Sequence, residues 1–119
     1  MRNVYTVRQV NGYIKNMFTQ DFVLNRIYVK GEVSNCKYHT SGHIYFSLKD
    51  ESGTIACVMF ASARSGLSFR MQEGQNVIVL GSVTVYERDG RYQLYAKEIL
   101  LEGAGLLYER FEALKRELE

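Results

Sequence analysis

Residues 29–60 read VKGEVSNCKYHTSGHIYFSLKDESGTIACVMF, and this stretch decides the fold. Three runs of alternating or apolar residues predict three β-strands, joined by a loop near residues 37–43 and a tight turn near residues 50–53. The loop is dense in Lys, Tyr, His and Ser. Strands of a small barrel that present aromatic rings and cations along an open groove bind single-stranded nucleic acid without reading its sequence. The stretch therefore predicts a curved sheet with a basic, aromatic binding surface.

The alternation of side chains sets the bounds of these three strands. The first is predicted from Ile27 to Lys37, the second from His43 to Lys49 and the third from Thr54 to Phe60. The third is apolar on both faces, so its outward face is not assigned. Gly31 lies in the middle of the first strand, where a glycine often marks the coil or bulge by which one strand serves both sides of a small barrel.

A helix is predicted at each end of the chain. The first runs from Val7 to Phe18, with Thr6 and Gln9 in the two capping positions. Its apolar side is expected to pack against the sheet and its polar side to face water. The apolar side comprises Val7, Val10, Ile14, Met17 and Phe18, and the polar side comprises Arg8, Asn11 and Lys15. A second amphipathic helix is predicted from Leu106 to Leu118.

The remaining residues supply a connection and a hairpin. Residues 61–74 predict a short irregular or helical connection, and residues 76–86 and 91–101 predict two strands joined across an Asp-Gly turn. Five strands with a helical connection between the third and the fourth are typical of the OB-fold. The predicted fold is therefore mainly β, a five-stranded Greek-key barrel with an N-terminal helix and a C-terminal helix.

The groove of such a barrel crosses strands 2 and 3 and is flanked by the loops at residues 37–42 and 87–91. Tyrosine rings there would stack on bases, cations would bind phosphates, and Ser and His would donate hydrogen bonds. The candidate stacking residues are Tyr38, Tyr45 and Tyr95. The candidate phosphate ligands are Lys30, Lys37, Lys49, Arg88, Arg91 and Lys97. The candidate hydrogen-bonding residues are His39, Ser41 and His43.

Size and charge agree with a single binding domain. A chain of 119 residues is long enough for one compact core. The net charge of +2 is too small to indicate a nucleic-acid partner by itself. Residues 1–100, however, hold 12 basic and 8 acidic side chains, whereas residues 101–119 hold 3 and 5. The cationic part of the chain is thus the predicted barrel, and binding of phosphates there would weaken with added salt.

The two cysteines and the absence of long apolar runs predict a reduced, cytoplasmic setting. Cys36 and Cys57 do not form a disulfide-framework spacing, and no apolar run approaches the roughly 20 residues that cross a bilayer. The N-terminal residues lack the apolar stretch of an export signal. We therefore expect no membrane partner.

Four segments resemble the N-terminal domain of the large subunit of bacterial exodeoxyribonuclease VII. They are GEVSNCKYHTSGHIYFSLKDE at 31–51, IACVMF at 55–60, VYERDGRYQLY at 85–95 and GAGLLYERFEALKREL at 103–118. The last two segments separate this family from anticodon-binding OB modules, which share only the barrel pattern. The resemblance extends over nearly the whole chain.

The resemblance implies an enzyme that degrades single-stranded DNA from either end into short oligonucleotides, without a divalent metal or another cofactor. It implies that residues 1–103 form the substrate-binding domain and that residues 104–119 begin a helix leading to a catalytic region outside this chain. The small helical subunit of the enzyme would bind through that outside part. No catalytic residue is therefore assigned here, and the expected partner of this segment is single-stranded DNA.

Three alternatives are open at this point. A zinc site could use Cys36, His39, His43 and Cys57, but a buried thiol in an apolar strand needs no metal to explain it. The barrel could be a protein-interaction module, since OB-folds also bind proteins. It could also be a free-standing protein that binds single-stranded nucleic acid.

Overall fold

The computed structural model describes residues 3–102, which form one helix and five strands. The elements are α1 (Val7–Gln20), β1 (Ile27–Tyr38), β2 (Ile44–Lys49), β3 (Thr54–Met59), a 3₁₀ helix (Ala61–Gly66), β4 (Asn76–Tyr86) and β5 (Arg91–Leu101). The predicted strands and the helical connection are confirmed, and the bounds of β4 and β5 agree with the prediction. The predicted C-terminal helix lies outside the described residues.

The five strands close into a barrel in the order β1-β2-β3-β5-β4. All neighbours are antiparallel except β3 and β5, which run parallel where Val58 pairs with Tyr95. β1 pairs with β4 along its first half and with β2 along its second half. A Cβ on Gly31, between these halves, would lie 3.1 Å from Leu48 Cβ, so the glycine permits the close approach of β1 to β2. The prediction for Gly31 is confirmed.

β1 also carries a bulge, four residues after that glycine. Its register with β2 shifts between Ser34 and Lys37, and Asn35 has a φ of 51°. The Glu73 carboxylate accepts hydrogen bonds from the backbone N–H groups of Asn35 at 3.0 Å and Cys36 at 2.7 Å. The carboxylate therefore satisfies the two backbone donors that the irregular register removes from the strand ladder.

The barrel interior is a core of aliphatic side chains. Val33, Ile44, Val77 and Leu94 are all completely buried, and they come from four different strands. Cys57 is also in this core at 2% exposure, and burial raises the pKa of its thiol to about 12. The thiol is therefore almost entirely protonated near neutral pH, and Cys57 serves as a small apolar side chain of the core.

α1 begins as the sequence predicts but packs on the opposite side. Thr6 and Gln9 form the expected capping box, with hydrogen bonds of 2.8 and 3.1 Å. The side that contacts the barrel is mostly polar: Asn11 Nδ2 donates to the Glu87 carbonyl at 3.0 Å, and Lys15 Nζ lies 3.2 Å from the Glu87 carboxylate. The expectation that the polar side faces water is therefore wrong for Asn11 and Lys15, whereas Arg8 is exposed as predicted.

Most of the apolar side of α1 is exposed instead. The exposed fractions are 77% for Val7, 44% for Val10, 40% for Ile14 and 56% for Met17. Phe18 alone of the predicted apolar set packs against the barrel core, with its ring 6.3 Å from that of Tyr92. No helix among residues 3–102 is long and apolar enough to cross a membrane.

Candidate nucleic-acid interface

The loop between β1 and β2 is held in one shape by its two histidines. The backbone N–H of Ser41 donates to His39 Nδ1 at 3.1 Å, and that of Ala61 donates to His43 Nδ1 at 2.9 Å. Gly42, between them, adopts a φ of +95°, which glycine tolerates without strain. Because each Nδ1 accepts a hydrogen bond, each neutral ring carries its proton on Nε2. Both imidazoles can therefore offer an N–H donor at the edge of the loop.

Five aromatic side chains lie next to one another across the outer surface of the barrel, in T-shaped or tilted contacts. The distances between ring centroids are 6.1 Å for His39–Tyr45, 6.3 Å for His43–Tyr45, 5.1 Å for His43–Phe60 and 5.6 Å for Phe60–Tyr95. We call these five residues, His39, His43, Tyr45, Phe60 and Tyr95, the aromatic face. It extends without interruption from the β1–β2 loop to β5.

The strand register explains why these rings share one side. Lys37 lies opposite Tyr45, Tyr45 lies opposite Val58, and Val58 lies opposite Tyr95. Residues paired in this way point to the same face of a sheet. Val58 is only 2% exposed, so neighbouring side chains cover it. The row thus places an exposed lysine beside a tyrosine, and a second tyrosine two strands further on.

Phe60 is a member of the aromatic face that sequence reasoning did not identify. It directly follows β3, whose sequence is apolar on both faces, and its side chain is 41% exposed. Its position follows from that of Val58, because residues two apart in a strand point the same way. Which residues of β3 point outward becomes clear only from the pairing of β3 with β2 and β5, and the apolar sequence of the strand does not show it.

Tyr95 lies where the aromatic face meets α1. Burial raises the pKa of its hydroxyl, while the charge of Lys15 lowers it and the neighbouring Tyr86 raises it. The phenol is therefore neutral at physiological pH, and its ring keeps the uncharged π-surface that stacks on bases. Lys15 is a second residue that the sequence did not suggest for this surface, since its helix was expected to face the other way.

The predicted cations lie at different distances from the aromatic face. Lys37 and Lys97 are exposed, the first opposite Tyr45 and the second two residues after Tyr95. Arg88 and Arg91 are exposed at the β4–β5 hairpin, where Arg91 lies 3.6 Å from the Asp89 carboxylate. Lys37 and Lys97 thus lie close to the rings along β1 and β5, whereas Arg88 and Arg91 lie further away at the hairpin.

Two further lysines lie toward the other end of the barrel and are paired with carboxylates. Lys49 ends β2, opposite the end that carries Tyr45, and lies 3.5 Å from Glu32. Lys30, in the half of β1 that pairs with β4, lies 2.8 Å from Glu102. The structure does not bring these two lysines together with the aromatic face.

Tyr38 points to the opposite side of β1 from Lys37. It pairs with the completely buried Ile44, and its hydroxyl accepts a hydrogen bond from the Met71 N–H at 2.8 Å. Its ring packs against the core rather than beside Tyr45. Ser41, the last of the predicted residues, lies in the loop with its Oγ 2.8 Å from His39 Nδ1.

The four residues of the alternative zinc site are not brought together. Cys57 faces the core, and the half-buried Cys36 has a pKa raised by burial, with smaller effects from Glu73 and Arg70. Within residues 3–102 no group of three or more His, Cys, Asp or Glu side chains is placed to hold a metal ion. The geometry does not support a metal centre in this part of the chain.

The barrel and its aromatic surface define the class of protein. Residues 5–100 match the family model described as OB-fold nucleic acid binding domain, and the chain belongs to that family. Among curated proteins, it is 75% identical over 118 residues to the exodeoxyribonuclease 7 large subunit of Lachnoclostridium phytofermentans. It is 54% identical over 114 residues to the protein of the same name from Clostridium botulinum strain Okra. The family resemblance inferred from the sequence is confirmed.

These relatives are much longer proteins. The matches cover 99% and 96% of this chain, but only 29% and 28% of the two relatives. The chain thus spans less than a third of their length.

Solved structures with the same fold have much lower sequence identity. A chain of a replication protein A heterotrimer bound to single-stranded DNA is 16% identical, with a TM-score of 0.54 over 80% of this chain and 73% of that one. The Schizosaccharomyces pombe Stn1–Ten1 complex gives 17% identity and a TM-score of 0.58 over 80% and 69% of the respective chains. At this identity the likeness demonstrates the barrel alone.

Proposed function

We propose that this chain binds single-stranded DNA on its aromatic face, as the substrate-binding domain of an exodeoxyribonuclease VII large subunit. The observation that carries the proposal is the continuous row of five rings from His39 to Tyr95, flanked by exposed lysines. An unpaired strand exposes base faces that a duplex hides, and each base stacked on a protein ring contributes about 1–3 kcal/mol. Every base has such a face, so binding of this kind has little sequence preference.

The polar groups around the rings would hold the sugar-phosphate backbone. Lys37 and Lys97 flank the face on two sides, and the Nε2–H groups of His39 and His43 are donors next to Tyr45. Contacts to phosphates fix the position of the strand without reading bases. Ser41 would act by orienting His39.

The other predicted contacts lie further from the rings or already have partners. Arg88 and Arg91 would meet the strand at the hairpin end of the face. Lys30 and Lys49 would contact only DNA that extends beyond it, since both are paired with carboxylates. A base contact by Tyr38 would need the ring to leave its hydrogen bond to Met71.

The names of the relatives support a nuclease as the whole protein to which this domain belongs. In that proposal the catalytic residues lie in the part of the relatives that this chain does not span. The small subunit would bind there as well, and the enzyme would act on DNA in the cytoplasm. We accordingly expect this chain alone to leave a labelled oligonucleotide uncut, and cleavage that survives repurification and chelation would contradict this.

Fluorescence anisotropy with a labelled oligothymidylate tests the binding itself. Tyr45→Ala should raise the dissociation constant by roughly 5- to 150-fold, the equivalent of one stacked base. Tyr13→Ala is the matched control, because Tyr13 is 67% exposed on α1, away from the aromatic face. Equal affinities of the two variants would show that Tyr45 does not contact the strand.

The same assay distinguishes a nucleic-acid surface from a protein-interaction module. Phosphate contacts release counterions, so affinity for single strands should fall steeply with salt. Lys37→Gln should flatten the slope of log affinity against log salt by about 0.7, the value for one phosphate contact on a single strand. A wild-type chain with no measurable affinity for oligonucleotides at low salt would overturn the proposed function and favour the interaction module.

A further inference from the structure

Two exposed arginines lie against the Tyr38 ring, on the side of β1 away from Lys37. The guanidinium carbon of Arg70 is 4.3 Å from the ring centroid and that of Arg64 is 5.4 Å from it. None of the ion pairs formed within residues 3–102 involves either arginine. We call Arg64 and Arg70 the arginine pair.

The pair is held in place by contacts with the backbone and with a fixed ring. Arg64 Nη1 donates to the Gly42 carbonyl at 2.9 Å, and the Tyr38 ring is anchored by the hydrogen bond from the Met71 N–H. A guanidinium stacked on a ring keeps its remaining N–H groups available, and it is charged at all physiological pH values. The arginine pair is thus a preorganised cationic site with ring and carbonyl contacts, and no carboxylate among residues 3–102 forms an ion pair with it.

The carboxylate of Glu73 is already engaged by backbone groups. Glu73 acts electrostatically on the same Cys36 thiol as Arg70 does. Its two carboxylate oxygens accept the backbone N–H groups of Asn35 and Cys36 in the bulge. This carboxylate therefore supports the strand, and an external anion could still bind to the arginine pair.

Arg64 is connected to the aromatic face through the β1–β2 loop, because the Gly42 carbonyl that it contacts directly precedes His43. The 3₁₀ helix Ala61–Gly66 begins directly after Phe60, and Arg64 lies four residues beyond that ring. At a rise of about 2.0 Å per residue this is roughly 8 Å along the helix, and stacked nucleotides are spaced about 3.4 Å along a strand. Two or three nucleotides would therefore connect a base stacked on Phe60 with a phosphate at Arg64.

We propose that the arginine pair binds the phosphodiester backbone of the strand where it leaves the aromatic face at Phe60. The inference rests on the proposed function and extends its site beyond the barrel strands to the connection between β3 and β4. Guanidinium groups match phosphate oxygens with two parallel hydrogen bonds, which explains why arginines rather than lysines suit this position. The site takes backbone phosphates of any sequence.

The test compares short and long oligonucleotides on the same variants of this chain. OB-folds cover about 4–16 nucleotides, so oligothymidylates of about 5 and about 15 residues represent binding to the aromatic face alone and binding that continues past it. The test variant is the double substitution R64Q/R70Q. The matched control is R8Q/R26Q, which removes two exposed arginines from α1 and from the segment before β1.

R64Q/R70Q should weaken binding of the long strand by roughly five- to tenfold at low salt and flatten its salt slope by about 1.4, the value for two phosphate contacts. Its affinity for the short strand should match that of wild type. The control R8Q/R26Q should change the affinity for both strands only by the general effect of losing two positive charges. The conservative R64K/R70K should restore part of the salt slope, because it keeps both charges but loses the planar fork.

Two results would overturn the inference while leaving the proposed function intact. If R64Q/R70Q binds the long strand as tightly as the control does, the pair makes no phosphate contact. If both strands lose affinity equally, Arg64 acts only through Gly42 by shaping the loop, and a lowered melting temperature of the variant would accompany that result. Failure of the wild-type chain to bind either strand would instead overturn the proposed function together with this extension.

Discussion

Phe60 offers the sharpest test of stacking on this surface, because its ring can be removed without removing its bulk. We predict that Phe60→Leu weakens binding of an oligothymidylate by roughly 5- to 150-fold, corresponding to about 1–3 kcal/mol for one base–ring contact. Phe60 lies between His43 at 5.1 Å and Tyr95 at 5.6 Å, so its loss interrupts the aromatic face in the middle. The effect should therefore exceed that of a substitution at an end of the row, such as His39→Leu.

The choice of leucine separates binding from stability. The Phe60 side chain is 41% exposed, and leucine retains much of its apolar contact with the barrel, so the melting temperature should change little. Phe60→Trp, which keeps a large ring, should bind at least as tightly as wild type. Phe22→Leu is the control, since Phe22 is 92% exposed outside the aromatic face.

Fluorescence anisotropy at several salt concentrations provides the measurement. A ring that stacks on a base contributes without releasing counterions, so Phe60→Leu should lower affinity by the same factor at every salt concentration. The reasoning is refuted if Phe60→Leu binds as Phe22→Leu does. It is also refuted if its loss of affinity disappears as salt rises, since the contribution would then be electrostatic.

Three further predictions concern the barrel itself. Gly81→Ala should destabilise the chain by about 1–3 kcal/mol, because its Cβ would overlap the backbone at Tyr95; thermal melting checks this against Gly53→Ala, where the Cβ meets open space. The Cys57 thiol, with a pKa raised to about 12, should resist a thiol reagent near pH 8 in the native chain and react after unfolding in urea; fast native reaction would contradict its burial. Hydrogen bonds from the following turn hold the pKa of Asp50 below its ordinary value of 3.8. The carboxylate therefore stabilises the fold above that value, and this contribution is lost as the pH falls through the lowered pKa. The difference in melting temperature between wild type and Asp50→Asn should disappear in acid, and a difference that stays constant with pH would exclude this linkage.

The sequence by itself determined the five strands and most of their bounds. Alternation with a period of two is a local property, and the Asp-Gly turn at residues 89–90 fixes the β4–β5 hairpin without help from distant residues. The same alternation identified Tyr45 and Tyr95 as outward residues on β2 and β5, and the structure brings both into the aromatic face. The capping box of α1 is likewise local, which explains why it was found.

The side on which α1 packs was decided only by the tertiary structure. A helical pattern shows which residues share a side, but the surface that receives the helix is built by distant strands. Here the hairpin presents the Glu87 carbonyl and carboxylate, and Asn11 and Lys15 satisfy both groups, so the polar side of the helix faces the barrel. The apolar residues are exposed as a consequence.

The tertiary structure also decided which residues of β1 and β3 face outward. Strict alternation would put Tyr38 on the same side as Ser34, but the extra residue in the bulge at Asn35 reverses the faces that follow it, so that Lys37 joins Tyr45 and Tyr38 turns toward the core. The bulge depends on Glu73, which lies 38 residues further along the chain. Phe60 belongs to the aromatic face because the pairing of β3 with β2 and β5 places Val58, two residues earlier, between Tyr45 and Tyr95. No local pattern in an apolar strand contains that information. Local periodicity thus determined the strands, whereas contacts between residues far apart in the sequence selected the side chains that share one surface.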